Sequence, residues 1–389
     1  MDAMTAPVVL ITGARAPAAL DLARAFAAAG YAAHLADCAP CAMARGSRAP
    51  AGVHAYASPV VRPEAFERDL RDLVERLAPR LVVPACEEVF HLASLARRWP
   101  DLKARLLAPD FETLHQLHSK ALFAEVCGAH GLPMPETWTL EGPDDLVALP
   151  PAGDLVFKPE YSRFGVRTLI RPDPARLAAL RPTPGERWVA QRHVAGTEMS
   201  FHAACRDGRL TAFSAYGSTW REGGGASYAF EAPPGRVTAD LLTIAAILAG
   251  VAGQGQFACD AIVDAGGRAW LLECNPRATS GVHLFDRDPA LAHALVGDGP
   301  PVQAAPATLR YLAPAYWLFG LPAALRQGRL GAWRRGLGEG RDVIGAPGDR
   351  WPLLGALADS LRFSAKALLA GQSLAAAMTA DIEWNGDRP

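Results

Sequence analysis

Two β-prone runs meeting at Gly266-Gly267 constrain this chain more than any other feature, because a glycine pair between such runs closes an antiparallel hairpin and fixes which residues face each other. The first run is Phe257-Ala258-Cys259-Asp260-Ala261-Ile262-Val263-Asp264, the turn is Ala265-Gly266-Gly267-Arg268, and the second run is Ala269-Trp270-Leu271-Leu272-Glu273-Cys274-Asn275. With Gly266-Gly267 as a two-residue loop, Ala265 faces Arg268 and, counting outward, Asp260 faces Glu273 with Cβ atoms about 5 Å apart. Asn275 projects from the same side as Glu273, and the other side carries Phe257, Cys259, Val263, Trp270 and Leu272. Directly opposed carboxylates destabilise a ladder. They either splay into water or hold a cation between them, and an Asp, Glu and Asn oxygen set suits a hard divalent ion such as Mg²⁺.

The opening of the chain obeys a different rule. A strand (Val8 to Ile11), a turn (Thr12-Gly13-Ala14-Arg15), a helix (Ala18 to Ala28) capped by Gly30 and a second strand (Ala32 to Leu35) make a βαβ unit of a parallel, doubly wound sheet. Arg15 and Ala18 stand where a dinucleotide-binding GxGxxG needs glycine, which argues against NAD or FAD. A helix from Pro63 to Leu77, a strand from Leu81 to Pro84 and a helix from Glu88 continue the pattern, so 1–110 reads as one α/β domain. A helix from Phe111 to His130 stops at Gly131 before Pro133 and Pro135 and opens an α+β region in two lobes, 111–185 and 186–300. Residues 301–389 read as a helical C-terminal extension.

Composition removes other classes. With 389 residues, half of them hydrophobic, one in five charged and a net charge of −1, the chain is neither disordered nor generally basic, so no nucleic-acid partner is expected. Seven cysteines behind a start (MDAMTAP) with no basic or apolar leader region imply free thiols in a reducing cytoplasm; Cys38 and Cys41, with no second ligand pair at zinc spacing, read as inert. No uncharged apolar run reaches the roughly 18 to 20 residues of a spanning helix. The nearest, Tyr311 to Leu325, contains Pro314 and Pro322 and is flanked by Arg310, Arg326, Arg329, Arg334 and Arg335; packed amphipathic helices are expected there in preference to contact with a membrane surface.

Only four of the 39 basic residues are lysines: Lys103, Lys120, Lys158 and Lys366. Lys158 ends the apolar strand Leu155-Val156-Phe157 just before Pro159, and Lys120 lies on the helix leading into the same lobe. Each is either an ordinary snorkelling lysine or a compact point charge of the kind that serves phosphate oxygens.

A lysine on a helix, a lysine ending a strand and an Asp, Glu, Asn set in that order resemble the ATP-grasp superfamily, in particular its carbamoyl-phosphate-synthetase-like and carboxylate-amine ligase branch. The resemblance covers residues 1 to about 300 and implies an ATP-grasp fold behind a Rossmann-like pre-ATP-grasp domain. It assigns Lys120 and Lys158 to ATP phosphates and the stretch Trp188 to Glu198 to the adenine hinge, where Gln191 and the Val194 backbone would read the base and Glu198 the ribose. Asp260, Glu273 and Asn275 match the magnesium ligands, with Mn²⁺ as the alternative ion, and Arg277 matches the arginine that steadies the transferred phosphoryl group. Two departures stand out. The loop Glu160 to Gly165 has one glycine, so Ser162 and Arg163 would have to close over the γ-phosphate, and Arg192 replaces an acidic hinge residue. No GxxxxGK[ST] loop is present.

The resemblance implies a ligase that phosphorylates a small-molecule carboxylate and couples the acylphosphate to an amine, with a homodimer as a compatible assembly. Arg15 for a carboxylate, Glu87 for an ammonium, Glu88, the stretch Trp220 to Gly225 with Arg221, and Ser280 to His283 are the substrate candidates, since open α/β sheets bind ligands at the carboxyl ends of their strands. His283 reads as a packing residue more than a base. The alternatives are phosphorylation of carbamate or bicarbonate, and a non-catalytic ATP-binding regulator.

Overall fold

The computed structural model describes residues 6–163, 165, 167–221, 227–305 and 308–386. Strands Val8–Thr12, Ala32–Asp37, Gly52–Ala55 and Leu81–Pro84 form a wholly parallel sheet in which Val8–Thr12 is flanked by Ala32–Asp37 and Leu81–Pro84. Both faces are covered, as the continuous apolar runs require. Val9, Ile11 and Leu35 pack with Phe26 of helix Pro17–Ala28, while Leu10 and Val82 pack with Phe66 and Leu70 of helix Pro63–Leu77 and Phe90 of helix Glu88–Ala96. Gly13 turns the first strand into its helix at φ +73°, and a Cβ there would lie 2.9 Å from both the Cys86 nitrogen and a Glu88 carboxylate oxygen.

Two further sheets follow. The smaller is antiparallel, with Trp188–Arg192 between Thr137–Leu140 and Leu155–Pro159 and with Leu169–Ile170 at its edge. The larger runs Ala269–Asn275, Gly255–Val263, Thr197–Arg206, Arg209–Arg221, Ser227–Glu231, Arg310–Tyr311, Arg341–Asp342, with Val302–Gln303 beside Arg209–Arg221. Helix Gly235–Ala252 buries Leu241, Ile244 and Leu248 against Phe201, Phe213 and Phe257 of that sheet. Among the described residues it alone is long and apolar enough to cross a bilayer by length and composition, and here its apolar side is core.

Three expectations are corrected. The helix expected from Phe111 to His130 is two helices, Phe111–His118 and Lys120–Ala129, broken at Ser119, whose hydroxyl accepts the Leu122 N–H (3.1 Å) as N-cap of the second. Strand Trp188–Arg192 belongs to the smaller sheet, because it hydrogen-bonds to strands on both sides there, so that sheet runs past residue 185. Finally, the C-terminal region is helical but is not merely appended. Three two-residue strands join it to the large sheet, and helix Trp351–Ala370 packs on helix Ala42–Gly46 of the first domain.

Candidate active site

The hairpin places Asp260 opposite Glu273 and Ala258 opposite Asn275, so all three oxygen-bearing side chains of the expected set come together on one stretch of ladder. The route to that register is not the expected one. Val263 faces Ala269 and the Asp264 N–H bonds the Arg268 carbonyl, so the loop is the three residues Ala265-Gly266-Gly267, which alone would shift the ladder by one. A bulge at Leu272 restores it, since Ala261 faces Leu271 while Asp260 faces Glu273. The core side of the second strand is therefore Ala269, Leu271 and Cys274, not Trp270 and Leu272; the Trp270 indole N–H instead donates to Asp264 (2.8 Å).

The neighbouring strand aligns Ser200 with Asp260, and the Ser200 hydroxyl donates to the carboxylate at 2.6 Å. Burial first and Glu273 second push the Asp260 carboxyl up to about 6. Glu273 goes the other way: burial would raise it, but Lys120 and Lys158 together hold it below the usual carboxylate range. Lys120, at the start of its helix, is 3.3 Å from Glu273 and also donates to the carbonyls of Glu160 and Ser162 at 3.3 Å. A cation at a helix N-terminus opposes the helix dipole, so Glu273 compensates a charge placed there against local preference. Lys158 is buried; burial lowers its pKa, the attraction of Glu273 works against that, and its ammonium donates to the Gln191 side-chain carbonyl at 3.1 Å. The amide of Gln191 donates in turn to Thr137 (3.2 Å), so in this structure Lys158 and Thr137 engage both ends of the side chain expected to read the base.

Around this centre the structure joins some candidates and separates others. Arg277 reaches Asn275 (3.4 Å) and Glu87 (3.7 Å), and the buried Glu87 also pairs with Arg163. The ammonium role expected for Glu87 is thus taken by two guanidiniums. Arg163 further donates to the Trp384 carbonyl (2.8 Å) and to Asn385 (2.9 Å), which turns it toward the C-terminal residues. Ser162 is half-buried beside it, Glu198 pairs with Arg221, and Val194 lies half-buried between the strands ending at Arg192 and starting at Thr197. Glu222, Gly223, Gly224 and Gly225, and Phe164 of the covering loop, lie outside the described residues.

Arg15 and Glu88 are corrected, while His283, read as a packing residue more than a base, does pack and so leaves the set of substrate candidates. Arg15 is enclosed by Asp37 and Asp381, each at 2.5 Å, which leaves no free fork for a substrate carboxylate. Glu88 accepts the Thr12 hydroxyl (2.6 Å) and the backbone N–H groups of Ala85 and Cys86, and so holds the first turn. His283 is buried against Asp21 (2.7 Å) of helix Pro17–Ala28, with Arg24 and Arg287 on the same carboxylate; Ser280 opens the short 3₁₀ turn that carries it there.

Sequence reasoning missed Ser200, which alternation from Glu198 along its strand would place on the same face as Asp260 once the pairing is known. It also missed Glu160, held by Ser119 and by Arg187 (2.7 Å), and the C-terminal stretch on Arg163, which has no local signal.

No protein-family model matches the chain, and no curated protein matches it in sequence. Solved structures do match in shape. The N5-carboxyaminoimidazole synthetase of Staphylococcus aureus complexed with ADP superposes at a TM-score of 0.60 with 12% identity, covering 76% of this chain and 79% of that one. The L-amino acid ligase of Bacillus licheniformis gives 0.58 and 14%, covering 78% of each chain. These neighbours carry the ATP-grasp arrangement of sheets. The chain has the ATP-grasp fold. A third ATP-grasp neighbour, the biotin carboxylase domain of Hydrogenobacter thermophilus 2-oxoglutarate carboxylase in complex with MgADP and bicarbonate, superposes at 0.59 with 14% identity, covering 78% of this chain and 73% of that one.

Proposed function

We propose that this chain is an ATP-dependent ligase that phosphorylates a small-molecule carboxylate and couples it to an amine. The observation that carries the reading is the opposed Asp260–Glu273 pair faced by two lysines from other elements, Lys120 and Lys158. Burial first and the repulsion of Glu273 second make Asp260 hold its proton, and a divalent cation relieves that repulsion. Asp260, Glu273 and Asn275 would hold magnesium, which would supply positive charge against that of the phosphate oxygens. They are two carboxylates and an amide; among the described residues no group of three His, Cys, Asp or Glu side chains is gathered for a metal, which fits an ion that phosphates help to hold.

ATP would lie between the smaller and the larger of the two sheets that follow the parallel one, with its adenine against the Val194 backbone, its ribose at Glu198 once that carboxylate leaves Arg221, and its phosphates at Lys120 and Lys158. A carboxylate oxygen attacks the γ-phosphorus as the bond to ADP breaks; the amine nitrogen then attacks the acyl carbon, phosphate leaves and an amide remains. Lys158 and Arg277 supply cations where the phosphoryl charge spreads. Arg163, drawn away from Glu87, would join them with Ser162 to exclude water. The seven free cysteines support a reducing, cytoplasmic setting.

A second reading has its own support, since two neighbours are named for carboxylation and one holds bicarbonate. Phosphate release from ATP and Mg²⁺ is measured with pooled amino acids and other acids and amines, in the presence and absence of bicarbonate. Release that needs an organic acid and an amine, with an amide found by mass spectrometry, supports the ligase. Release that needs bicarbonate replaces it with a carboxylating enzyme. ATP binding without release in any pool assigns a regulatory binder.

A further inference from the structure

The apolar stretch after Tyr311 was expected to be packed away, and the structure packs only half of it. A π-helical turn, Tyr316–Gly320, buries Tyr316, which stacks on Trp333 at 5.9 Å and exchanges hydrogen bonds with its backbone and indole at 3.1 Å. That knot fixes the turn so that Trp317 and Leu318 face outward, with Leu325 exposed one helix on. The neighbouring helix Trp351–Ala370 repeats the pattern over about 30 Å. Its Pro352, Ala356, Phe363 and Ala367 are buried. Its other side presents Trp351, Leu354, Leu357, Leu361 and Leu368 at helical spacing, with Leu361 73% and Leu368 84% exposed. The two elements adjoin, since Leu312 and Leu353 pack against the same buried cluster around Val343 and Ile344 and helix Ala313–Ala315 touches helix Trp351–Ala370.

Charge is as unevenly distributed as hydrophobicity. From Gly299 to Gly338 there is no acidic residue, and from Gly299 to Ala380 nine basic residues stand against four acids, in a chain whose totals are 39 and 40. Three of those four acids are turned to structural use: Asp342 and Asp359 accept backbone N–H groups, and Asp349 pairs with Arg24. Arg326, Arg334, Arg335, Arg350 and Arg362 are exposed.

We propose that this face docks on an anionic lipid surface, with tryptophan and leucine entering the headgroup boundary and the arginines meeting lipid phosphates. Exposed apolar stripes of this extent mark an interaction face, and tryptophan favours the membrane–water boundary. A second copy of the chain is the poorer occupant, because a two-fold interface would set the same basic patch against itself.

The test is flotation of the full chain with vesicles of phosphatidylcholine alone and of an equal mixture with phosphatidylglycerol, without ATP, so that its result does not depend on the ligase reading. Binding should require phosphatidylglycerol and fall with added salt. Arg334→Gln with Arg335→Gln should lower partitioning about tenfold or more. Trp351→Ser with Leu361→Ser should lower it comparably; these side chains are exposed, and an unchanged melting temperature confirms the fold. Absence of binding, equal binding to both vesicles, or binding indifferent to both variants overturns the proposal. A dimer in sedimentation velocity that Leu361→Asp dissociates, without vesicle binding, also overturns it and gives the face to a second copy.

Discussion

Four lysines in a chain rich in arginine do different work according to what surrounds them. Lys103 is exposed and Lys366 pairs with Asp381 at 3.5 Å, whereas Lys158 is buried and feels Glu273, Asp260 and Glu198 together. Lys158→Ala is therefore expected to lower phosphate release by a factor corresponding to about 2 to 4 kcal/mol, the loss typical of one preorganised contact to a transferring group, while Lys103→Ala stays near the wild-type rate. Asp260 gives a pH prediction of definite sign. Its carboxyl titrates near 6 in the folded chain and near 4 when unfolded, so without metal it favours the folded state at low pH, and that contribution is lost as pH rises from about 4 through about 6. Magnesium competes with that proton. The rise in melting temperature on adding Mg²⁺ should be clear at pH 8 and much reduced at pH 5; an equal rise at both would mean that Asp260 does not bind the ion.

At the scale of elements, the hairpin reaches the expected pairing through two departures that cancel. A three-residue loop displaces the ladder by one residue and the bulge at Leu272 displaces it back, so Asp260 meets Glu273 while Leu271 replaces Leu272 in the core. The bulged residue is then the extra one. Deleting Leu272 should leave a regular ladder with the two carboxylates still opposed, and the Mg²⁺-dependent melting shift should survive. Loss of that shift would show that the bulge itself aims Glu273. The break at Ser119 is of the same kind: one residue converts an expected long helix into two and puts Lys120 at a helix start, beside Glu273.

Across the whole molecule the C-terminal residues tie the lobes to the first domain. Trp384 stacks on Phe90 at 4.8 Å and meets Tyr161 edge-on, and its carbonyl and Asn385 hold Arg163. Asp381 closes on Arg15, and the C-terminal stretch lines a cavity of about 880 Å³ together with Ser162 and Arg163. Trp384→Ala should cost about 3 to 5 kcal/mol in urea unfolding, as for other buried aromatic truncations. It should also make the chain cleavable by trypsin after Arg163 under native conditions. Resistance equal to wild type would mean that the loop is held by its own lobe and not by the C-terminal stretch.

What could be read along the chain was whatever depends on neighbours in sequence. The βαβ opening follows from apolar runs and caps and the helix Pro63–Leu77 from its periodicity, whereas the carboxylate pair was reached only because the longer loop and the bulge at Leu272 cancel. Lys120, Lys158, Asp260, Glu273, Asn275 and Arg277 could be singled out as candidates because their order along the chain resembles that of the ATP-grasp superfamily, and the structure brings them near one another. Arg15 and Glu88 were misjudged for the opposite reason: their partners Asp381 and Thr12 lie 366 and 76 residues away, and no local pattern says whether a charge at a strand end meets a substrate or another side chain. Only the tertiary structure decided that Arg163 is held by the C-terminal residues and that the last long helix keeps one apolar face outward. Both follow from which surfaces packing leaves available, and local pattern does not encode that.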